Sequence, residues 1–382
     1  MTGHRHELRR RHSTTQGGFP ISRPDTITVV GGGVIGLWQA LTLAQKFGAR
    51  TFGRTVTRVR LVERSTVLFA DAASRLAGAM LAPYCEAEAA PSIVIDLGLE
   101  GLARWREVLP DLITQRGTLV VAPPRDRGDL LRFAKVTRGH TTIYAQAIGG
   151  LEPELADRFP AALSIADEAH MDPRAALPAL ARLAELAGCR IECGHDWSPA
   201  ERTPGETVID CRGLGARATL PNLRGVRGER AIVRAREVTL TRMVRLLHPR
   251  QPIYIVPWAD HEFMIGATVI ESDEAGPVTV RSALDLLGAA FAVHPGFAEA
   301  EILELAAGVR PTLPDNMPNI AIDGATLSVN GAYRHGFLLA PVLADAVLAY
   351  LEDGTRHPHL MRQSFTTHDG TSDETTGSTS HG

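Results

Sequence analysis

The residues best suited to chemistry in this 382-residue chain are three glycines and an acid. Ile27-Thr-Val-Val30 is a β-rich run. It meets Gly31, Gly33 and Gly36 at the spacing G-x-G-x-x-G, and a helical pattern (Leu37, Leu41, Leu43, Ala44) follows at once. Glycines so placed between a strand and a helix suit a dinucleotide. Gly31 permits the tight turn out of the strand, Gly33 lets the backbone approach a pyrophosphate, and Gly36 lets the helix pack closely on the sheet. Val34 and Ile35 open that helix, whose N-terminus faces the anionic ligand. Glu63 ends a second β-rich run, Val59-Arg-Leu-Val62, where a carboxylate accepts hydrogen bonds from a ribose diol. Such an acid selects an adenosine with a free 2′-hydroxyl, so FAD or NAD fits better than NADP. The gap between glycines and acid exceeds the usual spacing of about 20 residues, and residues 48–57 read as an insertion between helix and strand.

Several elements must position these groups. The block from Ala70 to Leu81 is rich in small residues, which let a backbone lie against a flat ligand. Helical spacing runs from Leu97 to Leu109, a strand from Gly117 to Ala122 and a short helix from Asp129 to Lys135. Asp172 as N-cap, Pro173 at the first position and Gly188 as terminator bound a clear helix. Strands follow at Ile191 and at Thr207 to Cys211, the latter leading into Gly213-Leu-Gly215. Residues Arg230 to Arg236 and Val238 to Leu246 read as strands of a more antiparallel region, and Tyr254 to Pro257 with Phe263 to Thr268 as a hairpin. A helix from Ser282 to Val293, a strand from Leu327 to Asn330 and a helix from Pro341 to Leu351, with proline at its start, complete the chain. Asp315 and Asn316 read as a turn, and His170 and His335 as structural histidines.

The expected fold is α/β. A Rossmann-like nucleotide-binding domain is assembled from residues 26–85, 150–220 and 308–355, interleaved with a mixed, mostly antiparallel substrate domain at 86–149 and 221–307. Residues 1–25 and 360–382 read as disordered tails.

A hydrophobic fraction of 44% supports a sizeable core, and a net charge of −3 gives no pull toward nucleic acid or membrane surface. No apolar run reaches the roughly 18 residues of a membrane span. Arg9-Arg-Arg11 lacks the following apolar segment of an export signal, so a cytoplasmic protein is expected. The four cysteines form no C-x-x-C pair and read as reduced thiols, and no metal site is expected.

Four blocks in order resemble the FAD-dependent amine oxidases of the D-amino-acid oxidase fold, and glycine oxidases most closely. They are Val30 to Gly36 with Glu63; Ser74 to Leu81; Tyr254-Ile-Val-Pro257 with Ile265-Gly-Ala-Thr268; and Gly308-Val-Arg-Pro311 with Asp315 and Pro318, followed by Gly331 to Pro341. The resemblance spans about residues 27–352. It implies that Arg310 pairs with a substrate carboxylate, that Tyr254 donates a hydrogen bond to the same group, and that Arg334 stands at the active-site edge. A planar guanidinium fork suits a carboxylate better than lysine does. It further implies FAD contacts from the glycine turn, Glu63, Arg64, Ser74, Ala79, Met80, Gly213, Arg334 and His335, and from the backbone of Gly336, Phe337, Leu338 and Leu339. This chain departs from the pattern at Ala79, where glycine is usual, at Ala332, at Trp258 in place of a basic residue, and at Pro252.

The implied reaction is oxidative deamination of glycine or a small amino acid. Hydride passes from Cα to flavin N5, and the products are an imino acid and, with dioxygen, hydrogen peroxide. The implied partners are the amino acid and dioxygen, the implied assembly a homo-oligomer and the implied pathway thiamine thiazole synthesis. The alternatives are a D-amino-acid or sarcosine oxidase or dehydrogenase, and the flavin subunit of a glycine dehydrogenase complex. An NAD-linked dehydrogenase is disfavoured by the Gly308 and Gly331 blocks.

Overall fold

The computed structural model describes residues 24–48, 57–250 and 252–362. The chain opens on β1 (Thr26–Val30), α1 (Val34–Phe47) and β2 (Arg58–Glu63). The short β3 (Met80–Leu81) and α2 (Pro83–Glu86) lead through α3 (Ile93–Val108) to β4 (Thr118–Val121), α4 (Arg127–Val136), β5 (Thr141–Tyr144), α5 (Ala145–Leu151) and β6 (Ala161–Ile165). Next come β7 (Ala169–His170), α6 (Pro173–Leu186), β8 (Arg190–Cys193) and β9 (Glu206–Asp210). The long β10 (Arg224–Arg234) is followed by β11 (Met243–Leu246), β12 (Ile253–Pro257), β13 (Glu262–Gly266), β14 (Ile270–Glu271), α7 (Val280–Val293), β15 (Glu301–Thr312), β16 (Asn319–Asp323), β17 (Thr326–Asn330) and α8 (Gly336–Asp353).

Two sheets carry the fold. The first has the order β16-β17-β9-β1-β2-β8, with β1 parallel to both β2 and β9. Four of the five β1 residues are buried, as expected for a parallel strand covered on both faces. The second sheet has the order β14-β10-β13-β12-β11-β4-β6-β5, with β15 antiparallel to β10 along its free edge. This is the expected α/β architecture, a Rossmann-like sheet beside a mixed, mostly antiparallel one.

Three local readings need correction. The last helix begins at Gly336, not at Pro341. Proline has no N–H to give the carbonyl four residues back, and that carbonyl, on Phe337, instead accepts from Trp105 Nε1 at 2.6 Å. A partner from α3 thus lets the helix run through the proline. Gly101 permits this approach, since a Cβ there would stand 2.0 Å from the Leu338 carbonyl oxygen. Second, β6 pairs with β4 and β5, so the segment from residue 150 through β6 runs with the second sheet rather than the first. Third, residues 360–362 are ordered. Leu360 and Met361 are buried, and Leu360 carbonyl oxygen accepts from Ile320 N at 2.6 Å. Residues 1–23, 49–56 and 363–382, which hold most of the expected tails and insertion, lie outside the described residues.

Candidate active site

The glycine turn has the geometry its spacing implies. Gly31 lies at φ +104°, where a Cβ would come 2.7 Å from the Cys211 carbonyl oxygen. A Cβ on Gly36 would come 1.9 Å from the Gly31 carbonyl oxygen, so the helix can sit this low only on glycine. Gly33 differs, because a Cβ there would touch nothing closer than Ser74 Oγ at 3.4 Å. The protein itself does not require that glycine, and the room it leaves suits a pyrophosphate. Glu63 is buried at the end of β2 and accepts from Gly32 N at 2.6 Å and Ser65 N at 3.0 Å, one bond to each oxygen. Each oxygen retains acceptor capacity for a ribose hydroxyl.

Helices α1 and α8 both begin at this crevice. A Cβ on Gly336 would lie 3.7 Å from Val34 Cγ1. Neither helix has a side-chain cap or an acid in its first turn. Two N-termini this close, with only the Val34 N–H taken by a side chain from elsewhere, make a strong anion-binding feature. The residues present therefore fit a dinucleotide such as FAD. Among the other expected contacts, Ser74 Oγ accepts from Val34 N at 3.1 Å. Gly213 follows β9 at φ +56°, and its carbonyl accepts from Asn330 Nδ2 at 2.9 Å. Ala79 is buried at φ +47°, in a region glycine prefers. Met80 pairs with His170 between β3 and β7. Arg64 points outward, 3.9 Å from Asp71, so its side chain is the least engaged of the set.

The second half of the site is polar and buried. Arg310 lies on β15 opposite Val226, and its guanidinium reaches over Gly228, where a Cβ would stand 2.0 Å from Nη2. Among the described residues its hydrogen bond runs from Nη1 to the Thr268 carbonyl oxygen at 3.3 Å. Desolvation, helped by the charge of Arg334, lowers its pKa to about 10. Tyr254 on β12 is 2% exposed, and its hydroxyl has no hydrogen-bond partner among the described residues. Burial pushes that phenol well above its usual pKa, against the pull of Arg245. Arg334 Cζ lies 5.7 Å from the Tyr254 ring centroid.

Three residues that the sequence reading missed complete the site. Glu86, on α2, is buried 3.5 Å from Arg334 Nη2 and 3.1 Å from His335 Nδ1. Burial opposes its ionisation, yet Arg334 and His335 lower its pKa to about 2. Arg245, on β11 and cross-strand from Tyr254, holds its Cζ 4.5 Å from that ring and pairs with Glu88. Glu168, fully buried, accepts from Cys85 N at 2.8 Å, and desolvation pushes it up to about 7. Only Arg245 carried a signal, a charge inside the apolar run Met243-Val-Arg-Leu246, whereas Glu86 and Glu168 stand close to Glu88 and Asp167 and carried none. Trp258, standing where the family pattern has a basic residue, lies 4.6 Å from Arg174 Cζ, so a cation is retained there from α6.

A Gly-rich strand–helix crevice backed by a buried guanidinium site defines a nucleotide-dependent oxidoreductase. The chain belongs to the FAD-dependent oxidoreductase (DAO) family, which matches residues 26–351. It is 49% identical over 321 residues, covering 84% of this chain and 94% of the relative, to a Rhizobium etli protein named for the thiamine biosynthesis oxidoreductase ThiO. It is 26% identical over 381 residues to the glycine oxidase of Geobacillus kaustophilus, covering 90% of this chain and 97% of that protein. The crystal structure of a G. kaustophilus glycine oxidase matches with a TM-score of 0.72, covering 88% of this chain and 99% of that one. The fold alone is shared with an FAD-bound L-α-glycerophosphate oxidase from Mycoplasma pneumoniae, at 20% identity and a TM-score of 0.68, covering 87% of this chain and 97% of that one. Among the described residues no helix is long and apolar enough to cross a membrane.

Proposed function

We propose that this protein oxidises glycine or a similarly small amino acid at its α-carbon, with FAD held by the glycine turn, Glu63 and the first turn of α8. The observation that carries this reading is Arg310, a largely desolvated guanidinium with no carboxylate partner among the described residues, in a site where the buried Tyr254 hydroxyl also has no partner. A small carboxylate satisfies both at once. Bound FAD would accept the hydride from the substrate and pass electrons to dioxygen.

The chain's own residues bind and orient. Arg310 grips the carboxylate through a charge-assisted pair and Tyr254 donates to it, which fixes the α-carbon relative to the crevice. The uncapped first turn of α8 stabilises negative charge placed before it. Arg245 is already matched by Glu88 and adds no free cation. The likeness to the ThiO protein supports delivery of the imino product to thiazole synthesis.

Replacing Arg310 with Ala tests this reading. The lost charge-assisted pair is worth roughly 2–4 kcal/mol. The expected result is a KM for glycine raised roughly 30- to 900-fold, with flavin retained on purification. Unchanged steady-state kinetics would contradict the carboxylate role.

A further inference from the structure

The carboxylate clamp explains one end of an amino acid and leaves the other unexplained. Glu86 lies 3.5 Å from Arg334 and interacts electrostatically with Arg245 and Arg310, and its Oε2 is buried without a hydrogen-bond partner among the described residues. Both ring nitrogens of the fully buried His335 also lack one, although Nδ1 is only 3.1 Å from that oxygen. The charged and titratable groups that act on Glu86, or on which it acts, come from every side. They are Arg334 and His335 ahead of α8, Arg245 on β11, Tyr254 on β12, Arg310 on β15 and Glu168 ahead of β7.

The charges sort into pairs. Arg245 is matched by Glu88 and Arg334 by Glu86, while Arg310 awaits the substrate carboxylate. An amino acid enters as a zwitterion. Its ammonium would be set down among guanidinium groups, which disfavours the charge unless an anion receives it. Glu86 is a buried carboxylate whose charge is felt by both Arg310 and Tyr254.

We propose that Glu86 receives the substrate's ammonium group, an assignment that rests on the amino-acid reading of the site. Arg334 and His335 hold Glu86 firmly ionised, so it meets the ammonium as an anion.

The test compares glycine with acetate, which carries the carboxylate and lacks the ammonium. In Glu86→Gln the KM for glycine is expected to rise at least tenfold, while the competitive inhibition constant of acetate stays within twofold of wild type. Equal weakening of both ligands, or no change in either, overturns the proposal. If Glu86→Gln does not fold, Glu86→Asp keeps the charge on a shorter arm. It should raise the glycine KM more than the acetate constant, and a parallel change in both overturns the proposal equally. Arg310→Ala serves as the control. It should weaken glycine and acetate together, and if it weakens neither, the amino-acid reading itself has failed.

Discussion

Ala79 shows how a single position can carry both strain and information. At φ +47° an L-residue suffers a clash that glycine avoids, and here the chain holds alanine in a buried backbone. The left-handed conformation disfavours a non-glycine residue by about 1–2 kcal/mol, while glycine's extra freedom in the unfolded chain offsets about 0.5–1 kcal/mol. Ala79→Gly is therefore expected to stabilise the protein by about 0.5–1 kcal/mol, read as a higher denaturant midpoint at unchanged slope. A lower midpoint would contradict the strain argument. At this scale the sequence is legible where backbone geometry demands one residue type. Gly31 and Gly36 could be nothing else, and the Gly308 to Pro311 block marked Arg310. Glu86 and Glu168 were not legible, because their roles come from neighbours brought together across α2 and the turn before β7, and no spacing along the chain encodes that.

Among the elements, α8 depends most on a contact from elsewhere. Pro341 frees the Phe337 carbonyl, and Trp105 supplies its donor while its ring stacks on Phe337 at 5.8 Å. Trp105→Phe keeps an aromatic ring and removes the donor. The expected loss is about 1–3 kcal/mol of stability for a buried acceptor left unsatisfied, measured by thermal or denaturant unfolding, and no loss would show that the proline is tolerated without it. The reading that started this helix at Pro341 failed because a proline inside a helix is rare unless another element takes over its hydrogen bond. The Glu301–Thr312 strand escaped notice for a related reason. Its Glu, Leu and Ala residues favour helices, and only pairing with β10 makes them a strand.

The segment from Glu168 to His170 makes an opposed pH pair. Burial pushes Glu168 up to about 7 from 4.5, so the folded state binds the extra proton and stability is lost as pH rises through that interval. Burial lowers His170 to about 4 from 6.5, so the unfolded state binds the extra proton and stability is lost as pH falls through that interval. In the wild type the two slopes largely cancel between pH 4.5 and 6.5. Glu168→Gln removes one of them. Its stability is expected to rise with pH by roughly 3 kcal/mol across the acid range, 1.36 kcal/mol per unit, while wild type stays nearly flat over the shared interval. Parallel profiles for the two proteins would contradict the opposed pair.

At the scale of the molecule, the first sheet draws on strands separated by more than a hundred residues, from β1 and β2 to β16 and β17. The opening strand–glycine–helix unit was readable because its pattern and turn agree locally, and the closing strand and the body of its helix were readable from their apolar pattern. The placement of β6 in the second sheet was not, since Ala161-Ala-Leu-Ser-Ile165 carries no signal that says which sheet will accept it. Arg334, two residues before α8, lies 5.7 Å from the Tyr254 ring of the second sheet, which links the α8 N-terminus to the polar cluster there. The most direct measurement is the visible spectrum of the purified protein under anaerobic conditions, before and after adding glycine, then sarcosine and D-alanine in separate samples. The expected result is an oxidised-flavin spectrum that bleaches fastest with glycine. Flavin bands that none of the three bleaches, or a colourless protein that cannot be reconstituted with FAD, would contradict it.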